Sequence, residues 1–151
     1  MGVVIGLYGT MPPEKWWRLL GYEWSICDNI ALYTSWLRPK FRRSRRLRLH
    51  MINPHESATY DSLPDVLTIY RGCYQNNRYG MSWTLDRDVA VKLPTMSRYR
   101  QNDHPLLLTA RVPKSDCVYL GNEREERELV TATRGLWAAT VTALKNKAPG
   151  Y

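Results

Sequence analysis

Phenylalanine is nearly missing from this chain, cysteine is sparse, and no apolar run is long enough to cross a bilayer. One Phe stands against six Trp and ten Tyr in 151 residues. The three cysteines, Cys27, Cys73 and Cys117, have no CxxC spacing. An odd, scattered set argues against a disulfide framework and against a zinc site, and reduced cytosolic thiols are the simpler account. Apolar stretches fall short of the ~20 residues a transmembrane helix needs. Met1 to Thr10 has no basic n-region and its apolar stretch is broken by glycine, so it makes a poor signal peptide. The expectation is a cytoplasmic protein with no membrane partner. A Walker loop and a Rossmann glycine fingerprint are both absent. His50, His55 and His104 are dispersed among polar segments, and no serine or cysteine sits in a nucleophile context, so a catalytic triad is unsupported.

What is present fits one domain. The length suits a single core, and a hydrophobic content of 44% with 24% charged residues is ordinary for a globular chain. Indole and phenol rings join an apolar body to a polar tip, which suits ligand-facing surfaces, although most such rings fill cores. The net charge is +8. Most of the excess lies between Arg38 and His50, with Arg42, Arg43, Arg45 and Arg46 at its centre. Such a run attracts polyanions or acidic protein surfaces, nucleic acid among them; its plainer account is a solvated face.

Along the chain, Pro12, Pro13 and Glu14 suit a helix start, and Trp16, Leu20, Trp24, Cys27 and Ala31 follow at helical spacing. Gly21 and the step at Cys27 to Asn29 are places where this pattern can break, and it fades near Pro39. Residues 52 to 65 carry the Pro, Asn, Ser and Asp of a loop. Strands are expected at Val66–Gly72, Met81–Thr84, Leu106–Val112, Val118–Leu120 and Glu128–Thr131. Asp86 is placed to cap a short helix ending before Pro94. The tail from Gly135 to Lys147 reads as a strand with a helix or as one helix. Helices first, then short strands with one small helix, is an α+β order. It divides into a helical region with the basic run, residues 1–62, and a β-rich core, residues 63–151.

Three local patterns carry chemistry. In Ile69-Tyr70-Arg71-Gly72, an arginine near a strand end offers a fork of donors to phosphate, and the glycine admits close approach. Most arginines are solvated, so the pattern is weak alone. In Ser82-Trp83-Thr84, strand alternation sets both hydroxyls on one face and the indole on the other, where core is its natural place. In Asn122 to Val130, a charged loop ends with Glu128 opening an apolar strand. Glu126 lies two residues earlier and is expected on the same face. Paired carboxylates there can orient a sugar hydroxyl and stabilise positive charge developing at an anomeric carbon.

Read in order, from Leu63 to Val130, these patterns resemble the arginine–serine–glutamate class of ADP-ribosyltransferases. The resemblance implies an ADP-ribosyltransferase-like split β-sheet core with N-terminal helices, and NAD as co-substrate with no metal. It implies that Arg71 anchors NAD, with Tyr70 and Gly72 beside it, while Ser82 stabilises the pocket with support from Thr84. Glu128 is then the catalytic glutamate and Glu126 prepares the attacking group, a pairing that in relatives often goes with arginine as acceptor. The 121–127 loop would meet the target. Two departures stand out: Ser-Trp-Thr replaces Ser-Thr-Ser, and the nicotinamide-stacking aromatic is undefined among Tyr70, Tyr74 and Tyr79. Compact proteins of this kind resemble phage or mobile-element effectors, including anti-defence proteins that modify a host protein or block a host nucleic-acid-binding complex.

Overall fold

The computed structural model describes residues 1–27, 29–121 and 126–144. Its elements are α1 (Gly2–Gly6), α2 (Pro13–Trp24), α3 (Thr34–Arg43) and α4 (Ser57–Ser62), then β1 (Val66–Cys73), β2 (Ser82–Thr84) and α5 (Arg87–Lys92). After these come β3 (Leu106–Pro113), β4 (Cys117–Gly121), β5 (Glu128–Thr131) and β6 (Thr140–Ala143). The strands form a six-stranded sheet in the order β4-β5-β2-β1-β3-β6, every neighbouring pair antiparallel. The α+β expectation holds. Among the described residues, no helix is long and apolar enough to cross a membrane.

Side-chain alternation divides the core between the two faces of the sheet. Val118, Leu120 and Val130 join Trp16, Trp17, Leu20, Trp24, Leu37 and Phe41 from the N-terminal helices. Cys117, Tyr119 and Leu129, their strand neighbours, join Leu67, Ile69, Trp83, Leu108 and Val112 in a second cluster. Trp83 is core, as its alternation requires. Helix α2 buries Trp16, Trp17, Leu20, Gly21 and Trp24, a single stripe at helical spacing.

Local expectation fails at several places. The helical pattern does not stop at Pro39: α3 runs through it to Arg43. Proline removes one helix bond, but Leu37 and Phe41 on either side are buried, and their packing holds the backbone in register. The loop expected at 52–65 contains a 3-10 turn at Pro54–Glu56 and the helix α4. Asn53 starts that turn by accepting from the His55 N–H at 3.0 Å, so the polar residues act there as caps. The helical spacing through Ala31 is really α2 and a 3-10 turn at Ile30–Tyr33. The short α1 has no counterpart in the sequence reading. In the tail, a 3-10 turn at Arg134–Ala138 precedes β6, and 145–147 lies outside the described residues.

Backbone meets backbone where α2 crosses the 3-10 turn at Leu47–Met51. A Cβ on Gly21 would lie 2.3 Å from the Met51 carbonyl oxygen. Gly21→Ala gains up to ~1 kcal/mol of helix propensity, but the overlap costs about 3 kcal/mol or more. A net loss of stability is therefore expected in urea unfolding; an unchanged midpoint would show that α2 does not sit this close. Cys117 is buried, and loss of solvation pushes its thiol up to about 12. The folded thiol then holds its proton more tightly than the unfolded one. Its stabilising contribution is full below the unfolded value near 9 and lost as pH rises towards 12. In thiol titration at pH 8, the half-buried Cys27 should react first, and Cys73 and Cys117 only on unfolding. Prompt labelling of all three in the native protein would contradict their burial.

Candidate functional site

The sheet is joined at its middle by one register pair. Strand β1 pairs with β3 along its whole length, from Val66 to Cys73, but meets β2 only at Tyr70↔Thr84. A cavity of about 600 Å³ is lined by residues of both strands. Tyr70, Arg71, Gly72, Ser82, Thr84, Glu126 and Glu128 all line it. Residues from three separate stretches of sequence thus converge on one cleft.

Arg71 ties β1 to β2 and to the turn before it. It donates to the Ser82 carbonyl at 2.6 Å and to the Asn77 carbonyl at 2.9 Å. Gly80 makes room for it, since a Cβ there would lie 2.2 Å from a guanidinium nitrogen. The Arg71 Nε is sealed from solvent and has no partner among the described residues. Burial lowers the Arg71 pKa; Cys73 and Glu128 act to raise it again, and Arg38 lowers it further.

Strand β2 supplies two hydroxyls. Ser82 Oγ accepts from the Trp24 indole N–H at 3.0 Å, a contact from α2 into the cleft. Thr84 is buried; its Oγ1 accepts from the Asp86 N–H at 2.9 Å and donates to the Glu126 carbonyl. Asp86 in turn caps α5, accepting from the N–H groups of Asp88 and Val89. Gly72 lines the cavity and also admits α5: a Cβ there would lie 1.8 Å from the Ala90 carbonyl oxygen.

Glu128 lies opposite Thr84 in the register with β5. Glu126 does not share a strand face with it, because β5 begins at Glu128 and Arg127 between them has φ 44. A left-handed residue interrupts strand alternation. Glu126 reaches the cavity through that turn, held by Thr84 and by the Leu85 N–H donating to the Arg127 carbonyl at 3.2 Å. Of the target loop, 122–125 lies outside the described residues.

Among the tyrosines, Tyr70 and Tyr74 line the cavity, whereas Tyr79 stacks on Trp137 with ring centroids 4.3 Å apart. Tyr74 is buried and its hydroxyl donates to the Pro94 carbonyl at 2.7 Å. Sequence reasoning missed Trp24, Asn77, Arg98, Arg100 and Gln101 in the lining. The Arg98-Tyr99-Arg100 cluster, between α5 and β3, was the one available signal. The basic run stays outside the cavity and is used unevenly. Arg42 donates to the Ala132 carbonyl at 2.6 Å, and buried Arg48 donates to the Phe41 carbonyl at 3.0 Å and lies 3.4 Å from Asp116. Arg43, Arg45 and Arg46 are exposed.

Fold and cleft together define an α+β protein with a six-stranded antiparallel sheet and a pocket lined by both cations and carboxylates. No family model, no curated protein and no solved structure matches the chain.

Thr84 ties the carboxylate segment to β2. Replacing it with valine keeps the shape but leaves the Asp86 N–H and the Glu126 carbonyl without this partner. Thr84→Val should cost about 1–3 kcal/mol in chemical denaturation; wild-type stability in that variant would mean the hydroxyl holds nothing.

Proposed function

We propose that this cleft binds NAD and that the protein is a mono-ADP-ribosyltransferase of the arginine–serine–glutamate class, transferring ADP-ribose to a protein acceptor. The observation that carries the reading is the convergence of Arg71, Ser82 and Glu128 on one cavity beside the short pairing of β1 with β2. The single joint at Tyr70↔Thr84 supports an ADP-ribosyltransferase-like split sheet as the fold behind it.

The residues suit the reaction. Arg71 brings to the lining a guanidinium, a charged donor group suited to phosphate oxygens. Arg98 and Arg100 add positive charge to the same lining. Nicotinamide is a good leaving group, so the protein has mainly to grip the pyrophosphate and offset charge developing at the anomeric carbon. Glu128 holds the ribose hydroxyl and supplies the negative charge. Glu126 orients the attacking group, and its carboxylate favours an arginine acceptor. A phage-borne effector acting on a host defence protein fits this compact, basic chain.

Titration with NAD should show saturable binding that Arg71→Ala removes. Glu128→Gln should keep binding and lower transfer about 100-fold or more; labelling at the wild-type rate in that variant would sink the catalytic reading. The exposed Arg43, Arg45 and Arg46 favour a second reading, a non-catalytic module that blocks a host nucleic-acid-binding complex through its basic surface. Reversing these charges should then abolish function while Glu128→Gln spares it. Direct nucleic-acid binding would add a steep dependence on salt.

A further inference from the structure

The contact between Trp24 and Ser82 joins the N-terminal helices to the chemistry of the cleft. An indole N–H can only donate, so at 3.0 Å the Ser82 Oγ must be the acceptor. A hydroxyl carries one proton. With an Oγ lone pair held by Trp24, that proton is directed elsewhere, and among the described residues it has no acceptor of its own. Ser82 lines the cavity. It therefore keeps its proton and one lone pair for a partner there, in the same lining as Arg71.

The indole is held firmly enough to impose this arrangement. Trp24 is buried in the helical core cluster. Its helix is fixed along its length: the close approach of Gly21 to Met51 sets its depth, and the Trp16 indole donates to the Val4 carbonyl at 2.7 Å. The partner residues are 58 positions apart in the chain. Rotating the Ser82 side chain to another rotamer would strand a buried indole donor, which is costly.

We infer that Trp24 is a positioning residue for ligand binding: by holding one lone pair of the Ser82 Oγ it fixes the rotamer in which that hydroxyl meets the cleft, leaving its proton and second lone pair for a ligand. The inference rests on the reading of the cavity as an NAD site. It makes residues 1–62 part of the binding machinery and not only a cover for the sheet.

The test is a double-mutant cycle read by NAD dissociation constants, with thermal melts to confirm folding. Trp24→Phe keeps the aromatic ring and removes the donor; Ser82→Ala removes the acceptor. Each should weaken binding about three- to tenfold, and the double variant should bind no more weakly than Ser82→Ala alone. Wild-type affinity in Trp24→Phe, or losses that multiply in the double variant, would overturn the role of Trp24 while leaving the NAD reading intact. A wild-type protein that binds no NAD would overturn both. A second readout needs no change at Trp24: its indole proton resonance in ¹⁵N-labelled protein should shift in Ser82→Ala, and in the wild type on saturation with NAD. Should Trp24→Phe fail to fold, an unmoved resonance in Ser82→Ala would decide against the inference.

Discussion

Between Tyr70 and Thr84 the two halves of the sheet share their one register pair, and Arg71 carries the join further by gripping the carbonyls of Ser82 and Asn77. The cleft is lined by residues on both sides of this short pairing between β1 and β2. Where a longer ladder would have satisfied the main chain, an arginine side chain takes over, and it needs Gly80 to leave it space. A guanidinium suits the task because it can serve two carbonyls and still have a donor left. The same side chain is thus structural at two nitrogens, while its third is sealed from solvent with no partner among the described residues.

Around that join the polar groups are linked in sequence. Trp24 orders Ser82, Thr84 holds both the backbone before Glu128 and the start of α5, and Asp86 caps that helix. Glu126 and Glu128 share one lining with Arg71, Arg98 and Arg100. A site of this composition favours a ligand with acceptors as well as donors or developing positive charge. NAD during loss of nicotinamide carries both kinds of group, which is what makes it the ligand proposed for this lining.

Strands were the most legible part of the sequence. Val66 to Gly72, Leu106 to Val112 and Glu128 to Thr131 carry apolar, β-branched residues between proline, glycine or charged boundaries, and strands stand at each. The Asp86 cap and the buried Trp83 followed from equally local rules. The failures were tertiary. Nothing near Pro39 announces that Leu37 and Phe41 will be buried and carry a helix past it. At the site, residue identities were readable but their geometry was not. Glu126 enters through a left-handed Arg127, which two-residue spacing does not reveal, and the partner of Ser82 is a tryptophan that reads as ordinary core.

The burial of α2 against the far end of the sheet has a consequence for synthesis. Trp16, Trp17, Leu20 and Trp24 emerge early from the ribosome, yet Val118, Leu120 and Val130, which help to cover them, are made roughly a hundred residues later. At about 5–20 residues per second, that leaves a strongly apolar stripe without its sheet partners for several seconds. Contacts of such long range also slow folding once the chain is complete. A nascent chain of this protein should therefore be a client for whatever shields exposed tryptophan in the cell that makes it.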